Sequence, residues 1–164
     1  MAKKHGQIAQ GGIRVDGMNN EFLKELIYNK SKEEVLEELD KIEVAEILHI
    51  YMNNYNWDDG FEIPKKVLSK ACCELSTALL VFYLADGERY LEDKDEIQNN
   101  NLTEWSIFLQ DLYNQIMSGK FKKGEIFFEP PLSKVQLYKI KKILGEDEDI
   151  FIKKIGEKKF NIIV

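Results

Sequence analysis

The sequence predicts an α+β fold that is mainly α: a helical bundle, with HEAT-like stacked helix pairs as one arrangement, followed by a small C-terminal antiparallel sheet with one helix. Three observations predict it. Apolar residues recur at helical spacing through most of the chain up to Gly119. Two segments, VAEILHIYM (44–52) and LSTALLVFYLADG (75–87), are apolar on nearly every side, as expected of central helices packed all round. The terminal IFIKKIGEKKFNIIV holds two β-branched runs around Gly156-Glu157, the pattern of a hairpin.

Taken in order, Phe22, Leu23, Leu26 and Ile27 predict a first amphipathic helix from Asn19. Ser31-Lys-Glu-Glu34 has the form of a capping box, in which hydroxyl and carboxylate each satisfy a free amide, and it opens a second helix through Val35, Leu36, Leu39 and Ile42. The third covers 44–52 and stops before Asn53-Asn54. A fourth begins at Ile63-Pro64, because a proline at the first helical position loses an amide that would be unpaired anyway. Val67, Leu68 and Ala71 form its inner face.

The apolar helix from Leu75 is expected to end where Gly87 takes the left-handed conformation. Polar residues from Glu88 to Asn101 suggest a subdomain boundary. Asn101 and Glu104 then offer a capping box for a long helix carrying Trp105, Phe108, Leu109, Leu112, Tyr113, Ile116 and Met117. EIFFE (125–129) before Pro130-Pro131 reads as an edge strand, since proline cannot donate to a ladder. A helix over 133–144 is capped by Ser133 and Gln136 and closed by Gly145. In the hairpin, a Gly-X turn places Phe151 opposite Ile162 and Lys153 opposite Phe160, with lysines marking the exposed edge.

Residues 1–17 lack hydrophobic periodicity and read as a flexible arm or an added leader, with Met18 as an alternative start. Residues 18–164 read as one compact domain, with a helical part over 18–93 and a helix-plus-sheet part over 101–164. A chain of 164 residues can bury a core without staples. Its 44% hydrophobic and 32% charged composition fits a soluble globular protein. No apolar run reaches the ~20 residues of a spanning helix, and the N-terminus lacks a secretory h-region, so a cytoplasmic location without membrane contact is expected. The adjacent Cys72 and Cys73 read as reduced core thiols, because a bridge between neighbours would be strained.

Net charge is −6. Lys3, Lys4 and Arg14 stand against Asp16 in the first 17 residues, so 20 of the 23 basic and 28 of the 29 acidic residues lie from Met18 onward. That acidic body disfavours nucleic acid as a partner and would attract a basic protein surface.

The stretch NYNWDDGFEIP (54–64) concentrates the functional question. Read structurally, Asp58 or Asp59 caps a turn, Gly60 supplies a positive φ, and Trp57 and Phe61 anchor the loop in the core. Read functionally, Asp58, Asp59, Asp86 and Glu88 form one acidic patch for a partner's Arg and Lys, or for a cation. A catalytic site is not indicated. A DD pair lacks convergent partners, His49 lies within an apolar helix, Cys72-Cys73 lacks zinc-site spacing, and no Walker, GxGxxG, GxS or HExxH motif implies a cofactor.

Trp57, Asp58, Asp59, Gly60 and Phe61, with Pro64 and then TALLVFYLADG, resemble the bacterial family known as domain of unknown function 4274, over about residues 51–91. The resemblance implies a small helical domain without an established activity, in a family some of whose members are thought to sit near toxin systems, and it leaves the chain after Asn101 outside. The expectation is an acidic protein-binding module, an immunity-type protein that neutralises a cognate basic toxin domain. The alternatives are a metal-dependent hydrolase using Asp58, Asp59 and Asp86, and a structural subunit of an assembly.

Overall fold

The computed structural model describes residues 20–99 and 103–159. The expected arm over 1–17 and the last residues of the expected hairpin lie outside them. The described chain forms two compact units that divide between Cys73 and Glu74.

The first unit is helical. α1 (Asn20–Lys24) widens into a π-helical turn over Glu25–Asn29, burying Leu23 and Leu26. α2 (Lys32–Lys41) begins at the predicted capping box: the Ser31 hydroxyl accepts from the Glu34 amide, and the Glu34 carboxylate accepts from the Ser31 amide at 2.7 Å. Those bonds hold the Glu34 carboxyl below its usual range. α3 (Ala45–Asn53) is buried from Ile47 to Met52, as its continuous apolar run requires. α4 (Glu62–Ser69) packs on α2 and buries Ile63, Pro64, Val67 and Leu68.

Pro64 is the third residue of α4, two positions later than the sequence suggested. The physics is unchanged, because the first amide with a helical acceptor is that of Lys65, donating to Phe61 O at 3.0 Å. Ala71 falls beyond the end of α4 and is exposed, so it does not extend the inner face. Neither Cys72 nor Cys73 is in a disulfide among the described residues, and Cys73 is buried.

The second unit is built on α5 (Leu75–Leu84), buried from Leu75 to Tyr83 and packed against α8 (Glu104–Met117). α5 does not end at Gly87. Asp86 itself takes the left-handed conformation (φ 70°, ψ 36°), and Gly87 opens α6 (Gly87–Glu92). Glycine is required there for space: a Cβ would lie 2.3 Å from the Phe82 ring and 2.5 Å from its carbonyl oxygen.

The polar stretch after Glu88 is helical, forming the rest of α6 and then α7 (Lys94–Asn99). The predicted N-cap Asn101 lies outside the described residues. The cap observed for α8 is Thr103, whose hydroxyl accepts from the Ser106 amide at 3.1 Å. α9 (Lys134–Ile143) carries the predicted capping box at Ser133 and Gln136. Gly145 is extended at φ −74° and precedes a 3-10 turn over Glu146–Phe151.

The predicted C-terminal antiparallel sheet is not present among the described residues. Segment 125–128 makes only isolated bridges, Ile126 with Lys158 and Phe128 with Ile155. Phe128 and Ile155 exchange two backbone hydrogen bonds of 2.9 Å. Phe151 ends the 3-10 turn and is fully buried, 5.0 Å from the Phe82 ring and stacked 5.1 Å from Tyr113. Its carbonyl accepts from the Tyr83 hydroxyl at 2.6 Å. Core packing therefore claims the residue that the hairpin register would have placed in a strand; Ile162, its expected partner, and Phe160, expected opposite Lys153, lie outside the described residues.

Candidate functional site

Two acidic turns carry the four carboxylates singled out from the sequence, one turn in each unit. In the first, the chain leaves α3, and Trp57–Asp59 forms one 3-10 turn. Asn56 caps it, its side-chain oxygen accepting from the Asp58 amide at 3.2 Å. Gly60 follows at φ 88°, a conformation that strains residues with a Cβ. The Tyr55 hydroxyl closes the loop by donating to Gly60 O at 2.8 Å.

The rings of Tyr55 and Trp57 meet edge to face at 5.2 Å, and Trp57 lies 6.1 Å from Phe61. These contacts hold the turn without the side chain of either aspartate. Both Asp58 and Asp59 are exposed, and among the described residues neither is in an ion pair. Trp57 and Phe61 are partly buried, and the Trp57 indole nitrogen is itself buried, so they anchor the loop. The field of the turn reaches its neighbours: burial, then Asp59 and Glu62, push the Tyr55 hydroxyl up to about 12. Lys32 is raised chiefly by its pairing with Glu62, with a smaller contribution from Asp59.

In the second unit, the left-handed Asp86 is exposed and Glu88 is half-buried in the first turn of α6. Burial, then Glu92, raise the Glu88 carboxyl above its usual range, with a hydrogen bond from Gln136 opposing them and Asp86 adding to the rise. Trp105 braces this turn, its indole N–H donating to Ala85 O at 2.8 Å while the Arg89 guanidinium lies 5.0 Å over the ring. Arg89, Glu92 and Trp105 border a cavity of about 590 Å³.

His49 is buried in α3, and desolvation lowers its imidazole to about 4. It is a neutral core residue at ordinary pH. No group of three or more His, Cys, Asp or Glu side chains among the described residues is arranged to hold a metal ion. Among those residues, no helix is long and apolar enough to cross a membrane.

Sequence reasoning missed one cluster. Glu148, buried in the 3-10 turn after α9, accepts from Lys94 Nζ and from the Tyr113 hydroxyl through one oxygen, and from the Gly145 amide at 2.9 Å through the other. Burial raises its carboxyl, but these three donors outweigh burial and leave it below the usual range. Desolvation, reinforced by Glu148, raises the Tyr113 hydroxyl. The partners are separated by up to 54 positions, and no local pattern in EDEDI distinguishes Glu148 from its solvated neighbours.

A mainly helical domain with an aromatic-acidic turn is the class that these features define. Residues 43–117 match the model of the family described as a domain of unknown function (DUF4274). The match contains both acidic turns and runs through α8, further than the resemblance read from residues 51–91. The comparisons with curated proteins and with solved structures gave no match.

Proposed function

We propose that this chain is a protein-binding module of the immunity type, which neutralises a cognate toxin domain by covering a basic surface with its acidic turn. The observation that carries the reading is the exposed Asp58–Asp59 pair, held by a turn that Asn56, Gly60 and the Tyr55 hydroxyl make rigid. Two exposed carboxylates beside the partly buried aromatic residues Trp57 and Phe61 combine charge steering with an apolar anchor, and pre-organisation lowers the ordering cost of binding. The net charge of −6 acts in the same direction by favouring encounters with a basic partner, an effect that weakens as salt rises.

The test expresses the products of the genes adjacent to this one, singly and together with this chain. One product is expected to arrest growth alone, to be tolerated in this chain's presence, and to co-elute with it. Toxicity that persists in its presence, or the lack of any toxic neighbour, defeats the reading. With a partner in hand, Asp58→Asn combined with Asp59→Asn should slow association several-fold and flatten its dependence on salt.

A further inference from the structure

α9 departs from the rest of the molecule in charge and in what it exposes. Its sequence KVQLYKIKKI holds four lysines and no acidic residue, in a chain of net charge −6. Ile140 is buried and faces the second unit, while Val135 and Tyr138 are 64% and 62% exposed. At 100° per residue, Val135, Tyr138 and Lys142 share the face opposite Ile140, with Lys139 to one side and Lys134 and Lys141 to the other. Lys142 Nζ lies 4.2 Å from the centre of the Tyr138 ring, one helical turn away. Among the described residues none of the four lysines is in an ion pair. An exposed aromatic and a valine rimmed by unpaired cations have the make-up of an interface centre and rim.

We infer that this face of α9 docks on the Trp57–Asp59 turn of a second copy of the chain. The two surfaces are complementary in charge. One offers lysines around Tyr138 and Val135; the other offers the exposed Asp58 and Asp59 beside the partly buried aromatic residues Trp57 and Phe61. The attraction acts at contact range, because beyond a Debye length of about 8 Å the repulsion between two acidic copies is screened at physiological salt. The contact joins two different surfaces, so each pair leaves one turn and one α9 free, and association proceeds past the dimer unless the rotation closes a ring. The inference rests on the Proposed function only in using the same turn as a receptor for basic surfaces. It gives that turn an occupant when no other partner is present.

Sedimentation of the full chain over a range of concentrations tests it, with two charge-reversed variants. One carries Lys139→Glu and Lys142→Glu; the other carries Asp58→Lys and Asp59→Lys. All four positions are exposed, and circular dichroism checks that both variants are folded. The wild type is expected to gain mass with concentration, each variant to sediment as a monomer, and an equimolar mixture of the two to associate again. A wild type that stays monomeric throughout overturns the inference, as does a lysine variant that still associates or a mixture that does not. Binding of the wild type to vesicles of anionic lipid, lost in the lysine variant, would give α9 to a membrane surface and also overturn it. None of these readings uses a toxin, so failure here leaves the neutralisation experiment to be decided on its own result.

Discussion

Asn56, rather than either aspartate, caps the turn that presents Asp58 and Asp59, and the two roles can be separated by substitution. Asn56→Ala removes the side-chain oxygen bonded to the Asp58 amide and should cost about 1 kcal/mol in urea unfolding. Asp58→Ala and Asp59→Ala should each stay within about 0.5 kcal/mol of the wild type, as exposed side chains without a partner do. The sequence had suggested that one of them is a cap. His49 offers a second test at this scale. Its folded-state value, about 4, lies below the ordinary 6.5, so the unfolded chain binds more protons between those limits. The associated stability is complete above pH 6.5 and is lost as pH falls toward 4, up to about 3 kcal/mol at 1.36 kcal/mol per unit. Comparing His49→Gln with the wild type at pH 7 and pH 5 should show a smaller loss on acidification in the variant.

Between α5 and α6, the left-handed conformation that the sequence assigns to Gly87 falls on its neighbour, and Gly87 has a different task. Asp86 adopts the positive φ, and Gly87 supplies the room beneath the Phe82 ring. Gly87→Ala should therefore be the damaging change, costing about 3 kcal/mol, the upper end for overpacking. Asp86→Gly relieves the left-handed strain and should leave the unfolding midpoint unchanged or raise stability by up to about 1 kcal/mol. The reverse ranking would mean that Gly87 bears the strained conformation. The Ser31 and Ser133 boxes behave differently from this junction: each is made of residues three apart, and both formed as read from sequence.

Within the second unit, Glu148 links the turn after α9 to α7 and α8 through Lys94 and Tyr113. Glu148→Ala removes the carboxylate acceptor of the half-buried Lys94 ammonium and Tyr113 phenol, and should cost about 2 kcal/mol. The pH dependence follows the direction of the shift. A carboxyl lowered in the folded state contributes its stability fully above the ordinary value of 4.5, and that contribution disappears as pH falls through the folded value. Acid unfolding of Glu148→Gln should accordingly be shallower than that of the wild type. A variant that unfolds with the wild-type acid profile would remove Glu148 from the groups that set it.

What the sequence by itself determined is the local part of this protein. The capping boxes, the apolar helices α3 and α5, and the position of the aromatic-acidic turn all depend on residues within a few positions of each other. The tertiary structure decided the rest. β-branched runs express a weak preference that packing can override, and here Phe151 goes into the core between Phe82 and Tyr113 while Ile155 and Lys158 make single bridges to segment 125–128. The choice of Asn56 over Asp58 or Asp59 as the cap turned on geometry within one turn, where all three residue types are competent. The Lys94–Tyr113–Glu148 cluster and the exposed face of α9 required knowing which side of each helix the fold covers. Burial is a property of the packed chain, and neither composition nor spacing specifies which partner will provide it.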